Sequence, residues 1–190
     1  GTKGNNADVD ELARKGEVDW KRLSSLRSDL IVTPLAKDVD PEFASMVDQT
    51  MMHVHENYLN LVSTVSLDSL SREESLPLLI KEYFARHAMG LICGVKRGFG
   101  GPDLARLFDH ERHPVVVVLA WLDEIGGTPL AKLAYPETTD TDRNDGEKYR
   151  KWAKGKDLPS LHSIIRFSTA LKDKGLGDEK LKCLRIWLII

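Results

Sequence analysis

The chain has 190 residues, of which 42% are hydrophobic and 29% are charged. This length predicts one domain over residues 1–190, and the composition excludes both a disordered chain and an integral membrane protein. The formal net charge is only −2, but it conceals an acidic N-terminal part and a basic C-terminal part. Because roughly 70% of the unfolded surface can be buried at this size, the fold needs neither disulfides nor metals.

The two cysteines, Cys93 and Cys183, lie 90 positions apart in apolar surroundings. This pattern predicts buried free thiols, which are typical of a reducing compartment, so we expect an intracellular protein of the cytoplasm or nucleus. Residues 1–7 lack the apolar core of a targeting segment and predict a flexible end. The longest apolar runs, Pro114–Leu122 and Ile186–Ile190, are far shorter than the roughly 20 residues of a membrane span. We therefore expect no membrane partner.

Helical signals dominate the first half of the chain, where prolines stand at helix starts and apolar residues recur every three or four positions. Asp8 to Glu11 resembles a capping box, which predicts one helix before Gly16 and another after it. The strongest periodicity predicts a helix over residues 41–65. A second long helix is predicted over residues 75–92, followed by a glycine-broken loop from Gly94 to Gly101.

The middle of the chain contains one ambiguous run. A short helix is predicted to start at Pro102. The four valines from Val115 to Val118 favour a strand, whereas an entry through Pro114 and the terminator Gly126-Gly127 favour a buried helix. We choose the helix.

The remaining elements are also predicted as helices. A short helix is expected from Thr128 to Ala134, and the polar, turn-rich residues 136–146 predict a surface loop. Three further helical patterns lie near residues 147–154, 159–174 and 178–190. No hairpin pattern or internal repeat is present in the sequence, so we expect an all-α fold, a single compact domain of about eight or nine helices.

Each candidate catalytic or metal-binding motif in the sequence lacks a required residue or spacing. His53 and His55 are two positions apart, so on a helix they point away from each other. His110 and His113 end a helix before a proline and are interpreted as solvated or capping imidazoles. The acidic segment Asp140–Gly146 resembles a calcium loop but lacks its glycine and its final glutamate. We therefore predict no catalytic set, no metal and no cofactor, and expect a protein that is not an enzyme.

A first binding prediction concerns Lys96 and Arg97. They lie among glycines ahead of a predicted helix start, an arrangement that can bind a phosphate or another anion. The alternative is a plain connection between helices that needs no ligand.

Charge distribution gives the main functional lead. Residues 143–190 contain twelve Lys or Arg and six Asp or Glu, which predicts either an anionic partner or a match with the acidic part of the chain. Within this basic part, cations alternate with two aromatic residues, as in single-stranded nucleic acid binding. The predicted nucleic-acid contact comprises Lys148, Tyr149, Arg150, Lys151, Trp152, Lys154 and Lys156. Alternatively, Trp152 belongs to the core and the lysines form its solvated border.

The chain ends in an apolar segment that must be covered. We predict an oligomer contact formed by Ile186, Trp187, Leu188, Ile189 and Ile190. The alternatives are that this segment completes the core or is the cut edge of a longer protein.

Together these features predict a non-enzymatic helical interaction or assembly domain that binds single-stranded RNA through its basic C-terminal part, in a role like that of a nucleocapsid protein. One alternative is a protein-binding module or homo-oligomer without a nucleic acid role. Another is a small helical enzyme whose site the sequence does not reveal.

Overall fold

The computed structural model describes residues 20–64, 71, 73–74, 77, 79–136 and 140–190. These residues are largely helical and no strand occurs among them, which confirms the all-α fold class. None of the helices in the described ranges is long and apolar enough to cross a bilayer. The predicted flexible segment 1–7 and the capping box at Asp8 lie outside the described residues. Where the sequence predicts one domain, the contacts divide the chain into two compact units, residues 1–91 and 92–190.

The first unit is built from helices with two π-helical segments, in which the turns are wider than in an α-helix. Its elements are α1 (Trp20–Arg27), the π-helical Ser28–Val32, α2 (Thr33–Asp38), α3 (Pro41–Thr64), the π-helical Leu79–Phe84 and the first part of α4 (Ala85–Phe99). The periodicity of the sequence does not predict these π-helical segments.

Helix α3 begins where the proline pattern predicts. The Asp40 carboxylate accepts a hydrogen bond from the Phe43 amide at 2.8 Å, and this satisfies one donor of the first turn. Phe43 and Ala44 are buried together with Leu35 and Val39, the apolar residues that lie just before α3 in the chain. The predicted helix over residues 41–65 is therefore confirmed to within one residue.

The second unit contains the larger core. Its elements are the end of α4 followed by α5 (Leu104–Leu107), α6 (Pro114–Gly126), α7 (Leu130–Ala134), α8 (Asp140–Ala153), α9 (Leu161–Asp173) and α10 (Asp178–Ile189).

The valine run Val115–Val118 is helical and belongs to α6, as predicted. His113 caps this helix, because its Nδ1 accepts a hydrogen bond from the Val115 amide at 3.3 Å. Gly127 adopts a left-handed conformation with φ of 70° and ends the helix, a geometry that glycine adopts without a steric penalty. Val117, Val118 and other residues of α6 are buried in the core of the second unit. Burial on several sides outweighs the modest preference of valine for strands.

The last helix completes this core. Helix α10 packs against α9 and α6, and Ile186, Trp187 and Leu188 are buried. The Trp187 indole Nε1 donates a hydrogen bond to the Gly100 carbonyl oxygen at 2.8 Å. These three side chains are therefore used within the unit, in agreement with the alternative that the segment completes the core, and the oligomer contact stays a prediction. Ile189 is half-buried and Ile190 remains exposed.

Two predicted loops are shorter than expected. Residues Asp140–Gly146, assigned to the loop 136–146, form the first half of α8. Gly94 and Gly98 lie inside α4 rather than in a glycine-broken loop. Each glycine costs a helix about 1 kcal/mol, which the burial of an apolar residue such as Val95 offsets.

The cysteines differ in environment, although both are free. Cys93 is exposed, so its predicted burial is wrong. The half-buried Cys183 donates its Sγ hydrogen to the Phe99 carbonyl oxygen at 3.2 Å. Burial raises the pKa of Cys183, and Glu179 nearby acts in the same direction.

The Trp187 contact predicts the effect of a small substitution. A Cβ atom at Gly101 would overlap the Trp187 ring, which is 2% exposed. We expect Gly101→Ala to lower the free energy of unfolding by about 1–3 kcal/mol. The control Gly98→Ala, where a Cβ meets nothing within 4 Å, should leave stability unchanged or raise it by up to about 1 kcal/mol. Urea unfolding of both variants tests this, and equal stabilities would contradict the packing described.

Candidate functional site

The predicted aromatic contacts of α8 face inward. Tyr149 is 5% exposed and Trp152 is 4% exposed. Their ring centroids lie 5.0 Å and 6.4 Å from that of Phe167 on α9. Because the two residues are three positions apart, they share the face of α8 that joins the core. Neither ring offers a plane on which a base could stack, so both are removed from the predicted nucleic-acid contact.

The predicted cations of α8 face outward. The side chains of Lys148, Arg150, Lys151, Lys154 and Lys156 are exposed. Lys148 lies 3.6 Å from Asp145 and Lys151 lies 3.4 Å from Glu147, and these surface ion pairs neutralise part of the positive charge. A cationic surface therefore remains, but without stacking partners.

The predicted anion site at Lys96 and Arg97 occupies the last turn of α4. Lys96 Nζ donates a hydrogen bond to the Pro102 carbonyl oxygen at 2.9 Å. The C-terminal end of a helix carries partial negative charge, which attracts cations and disfavours an anion. The glycine-loop premise of this prediction is wrong, and the position suits helix capping.

An apolar cavity of about 400 Å³ opens beside the last helix of the second unit. We call it the C-terminal groove. Three large apolar side chains at this groove are exposed to solvent: Leu158 by 66%, Phe108 by 46% and Ile190 by 38%. The other lining residues are Ile92, Leu107, His113, Pro114, Val115, Val118, Pro159, Trp187, Leu188 and Ile189.

A glycine positions one wall of the C-terminal groove. Gly155 has φ of 64° and approaches His113 so closely that a Cβ there would lie 2.8 Å from the His113 Cβ. This approach carries the chain across the start of α6, so that Leu158 and Pro159 line the cavity with Pro114. Sequence reasoning missed the site, although an apolar Leu158 between an aspartate and a proline in a loop was an available signal.

A second cavity, of about 560 Å³, lies among α6, α7 and α8. We call it the Asp123–Tyr149 pocket. One Asp123 carboxylate oxygen accepts a hydrogen bond from the Leu130 amide at 2.8 Å. The buried Tyr149 hydroxyl has no well-directed hydrogen-bond partner among the described residues. The remaining lining residues are Pro129, Ala131, Lys132, Tyr135, Pro136, Gly146, Arg150 and Ala153.

Burial changes the pKa values of Asp123 and Tyr149. It raises the pKa of Asp123, although the Leu130 amide and the Tyr149 hydroxyl act in the opposite direction. Burial is also the largest cause that raises the pKa of Tyr149, and the negative charge of Asp123 is the second. The Tyr149 hydroxyl therefore stays protonated and remains a hydrogen-bond donor at neutral pH.

No protein-family model, no curated protein and no solved structure matches this chain. Within the described ranges, no three His, Cys, Asp or Glu side chains come close enough together to share a metal ion.

The raised pKa of Tyr149 predicts a loss of stability at alkaline pH. The unfolded chain ionises this hydroxyl near its ordinary value of about 10, whereas the folded chain does so at higher pH. The free energy of unfolding therefore falls as the pH rises above about 10. Tyr149→Phe removes this loss, so its stability relative to the wild type should improve between about pH 8 and pH 11.

Urea unfolding followed by far-ultraviolet circular dichroism at both pH values measures the difference. Tyr58→Phe, which removes a hydroxyl from an exposed ring, is the matched control. An identical pH dependence of the wild type and Tyr149→Phe would show that this hydroxyl does not have the environment described.

Proposed function

We propose that the chain is a protein-interaction module whose C-terminal groove binds an acidic amphipathic helix of a partner protein. The observation that supports this most directly is the exposure of Leu158 and Phe108 at the C-terminal groove. Both side chains are large and apolar, and water contacts them while an apolar cavity lies beside them. A single exposed leucine is ordinary on a protein surface, but a group of them around a cavity is typical of an interaction site.

Hydrophobic burial supplies the affinity in this proposal. Covering a leucine or phenylalanine side chain contributes about 1.5–3 kcal/mol, and here much of each side chain is still exposed. An amphipathic helix presents apolar residues at positions i, i+3, i+4 and i+7, which is the usual way in which a helix fills an apolar groove. The buried floor of Trp187 and Leu188 is already fixed by the core, so little of it needs to be ordered on binding.

Charge selects the partner. Residues 92–190 contain 17 Lys or Arg and 14 Asp or Glu. Close in sequence to residues that line the C-terminal groove, three cations (Arg106, Arg112 and Lys156) are balanced by three acids (Asp109, Glu111 and Asp157), and Arg112 lies 4.0 Å from Asp109. Opposite charge steers association and suppresses unsuitable partners. The small excess of Lys and Arg over Asp and Glu in residues 92–190 therefore favours an acidic helix over a basic one.

A designed peptide tests this proposal. It has leucines at i, i+3, i+4 and i+7 and glutamates on its other face. We expect saturable binding, followed by NMR shifts of the amides that line the C-terminal groove. Leu158→Asp should weaken the affinity at least tenfold, since it replaces an apolar contact by a desolvated charge.

Two controls isolate the site and the charge. Leu30→Asp introduces the same change at an exposed leucine of the first unit and should leave the affinity unchanged. A peptide with lysines in place of the glutamates should bind more weakly. Equal affinity of the wild type and Leu158→Asp, or no saturable binding of the acidic peptide, would contradict the proposal.

The cations of α8 support a second candidate function, the binding of single-stranded RNA. The exposed side chains of Lys148, Arg150, Lys151, Lys154 and Lys156 occupy one short segment. Because Tyr149 and Trp152 are buried, such binding would depend on phosphate contacts and would have little sequence preference. It ranks below the protein-binding proposal because ion pairs already neutralise part of this charge.

Salt dependence tests this second candidate with an oligouridylate. Reversing Arg150 and Lys151 to Glu should weaken binding for all sequences and flatten the slope of log affinity against log salt by about two units. Reversing Lys172 and Lys174, two other exposed cations of the basic part, should have a smaller effect. Failure of the wild type to bind at low salt would exclude RNA binding by this surface.

A further inference from the structure

We infer that the Asp123–Tyr149 pocket binds a small ring compound that carries a hydroxyl group. The ligand hydroxyl would donate to the Asp123 carboxylate and accept from the Tyr149 hydroxyl, and the ring would lie against the apolar walls. This inference does not depend on the proposed function, because the pocket and the C-terminal groove share no lining residue.

The polar end of the pocket carries the argument. Asp123 Oδ1 accepts a hydrogen bond from the Leu130 amide nitrogen at 2.8 Å, and this bond fixes the orientation of the carboxylate. The Tyr149 hydroxyl is buried but lacks a well-directed hydrogen-bond partner among the described residues. Asp123 is close enough to interact with this hydroxyl, but the hydrogen bond between them is poorly directed. A buried hydroxyl with a poor hydrogen bond costs free energy. A ligand that supplies a well-placed acceptor recovers part of this cost.

One polar group on the ligand can serve both residues. The carboxylate of Asp123 accepts a hydrogen bond, whereas the protonated Tyr149 hydroxyl is available to donate one. A ligand hydroxyl has one donor and two acceptor lone pairs and therefore matches this pair. An ether can only accept, and a carboxylate ligand likewise has no hydrogen to donate to Asp123.

The apolar walls of the Asp123–Tyr149 pocket favour a ligand that contains a ring. Pro129, Ala131, Tyr135, Pro136 and Ala153 line the cavity and present apolar surface. Proline rings and an aromatic ring give flat faces against which another ring packs well. The volume of about 560 Å³ lies within the range of about 300–1,000 Å³ that is usual for small-molecule sites.

Charge at the wall does not oppose such a ligand. Lys132 and Arg150 also line the pocket, and both are exposed to solvent. Their long side chains can keep the charged groups in water while the stems cover part of the cavity. An uncharged ligand then enters without losing an ion pair.

The test is an NMR titration of the full chain with phenol, anisole and benzoate as probes. Phenol both donates and accepts, anisole only accepts, and benzoate is charged. We expect saturable shifts with phenol at the backbone amides of Leu130, Ala131, Tyr149 and Ala153. Anisole and benzoate should bind at least fivefold more weakly, which is the effect expected from the one hydrogen bond to Asp123 that neither can donate.

Matched variants identify the hydroxyl. Tyr149→Phe keeps the packing of the ring and should weaken phenol binding about five- to tenfold. Tyr58→Phe makes the same change on an exposed ring of the first unit, away from the pocket, and should change the affinity less than twofold. Circular dichroism confirms that each variant is folded.

If Tyr149→Phe does not fold, Asp123→Asn provides the second measurement. It retains an oxygen for the Leu130 amide and should reduce the preference for phenol over anisole. The inference is overturned if phenol gives no saturable shift at these amides, if anisole binds as tightly as phenol, or if a folded Tyr149→Phe binds phenol like the wild type.

Discussion

The second unit depends on the way in which α10 is held in its core. The Trp187 ring lies against Gly101, and its indole nitrogen donates to the Gly100 carbonyl oxygen at 2.8 Å. The first of these contacts requires a residue without a side chain, and the second satisfies a polar group that would otherwise be buried unpaired. Leu184 and Ile186 on the same helix are fully buried. A segment that looks like an exposed apolar tail in the sequence is therefore a structural element.

This placement determines which surfaces remain for binding. Once Trp187 and Leu188 are fixed, they form part of the C-terminal groove, and the exposed Leu158 and Phe108 lie beside them. Helix α8 also has one buried and one exposed face. Tyr149 belongs to the core and lines the Asp123–Tyr149 pocket, while the lysines are exposed to water. Burial thus removes the aromatic half of the predicted RNA contact, which is why the proposed function relies on the C-terminal groove instead.

Much of the helical fold could be predicted from the sequence because helix periodicity and caps are local. The helices α3 and α6 begin at prolines and were predicted almost to the residue. The glycines of α4 were not, because the burial of residues such as Val95 outweighs local propensity there. The first half of α8 was not either, because its polar, turn-rich residues favour a loop. The sites were missed for another reason. Asp123 and Tyr149 are 26 positions apart, Phe108 and Leu158 are 50 apart, and no local pattern connects them. Only the packing of α6, α7 and α8 brings the first pair together.

The most direct test of this account is hydrogen exchange of the chain truncated after Arg185, compared with that of the full chain. If α10 completes the core, removing Ile186–Ile190 deletes the buried Trp187 and its contact with Gly100. The amides of α6 and α9, which pack against α10, should then lose most of their protection. Unchanged protection in these two helices would contradict the account, because the segment would then be a dispensable tail that is free to act as an oligomer contact.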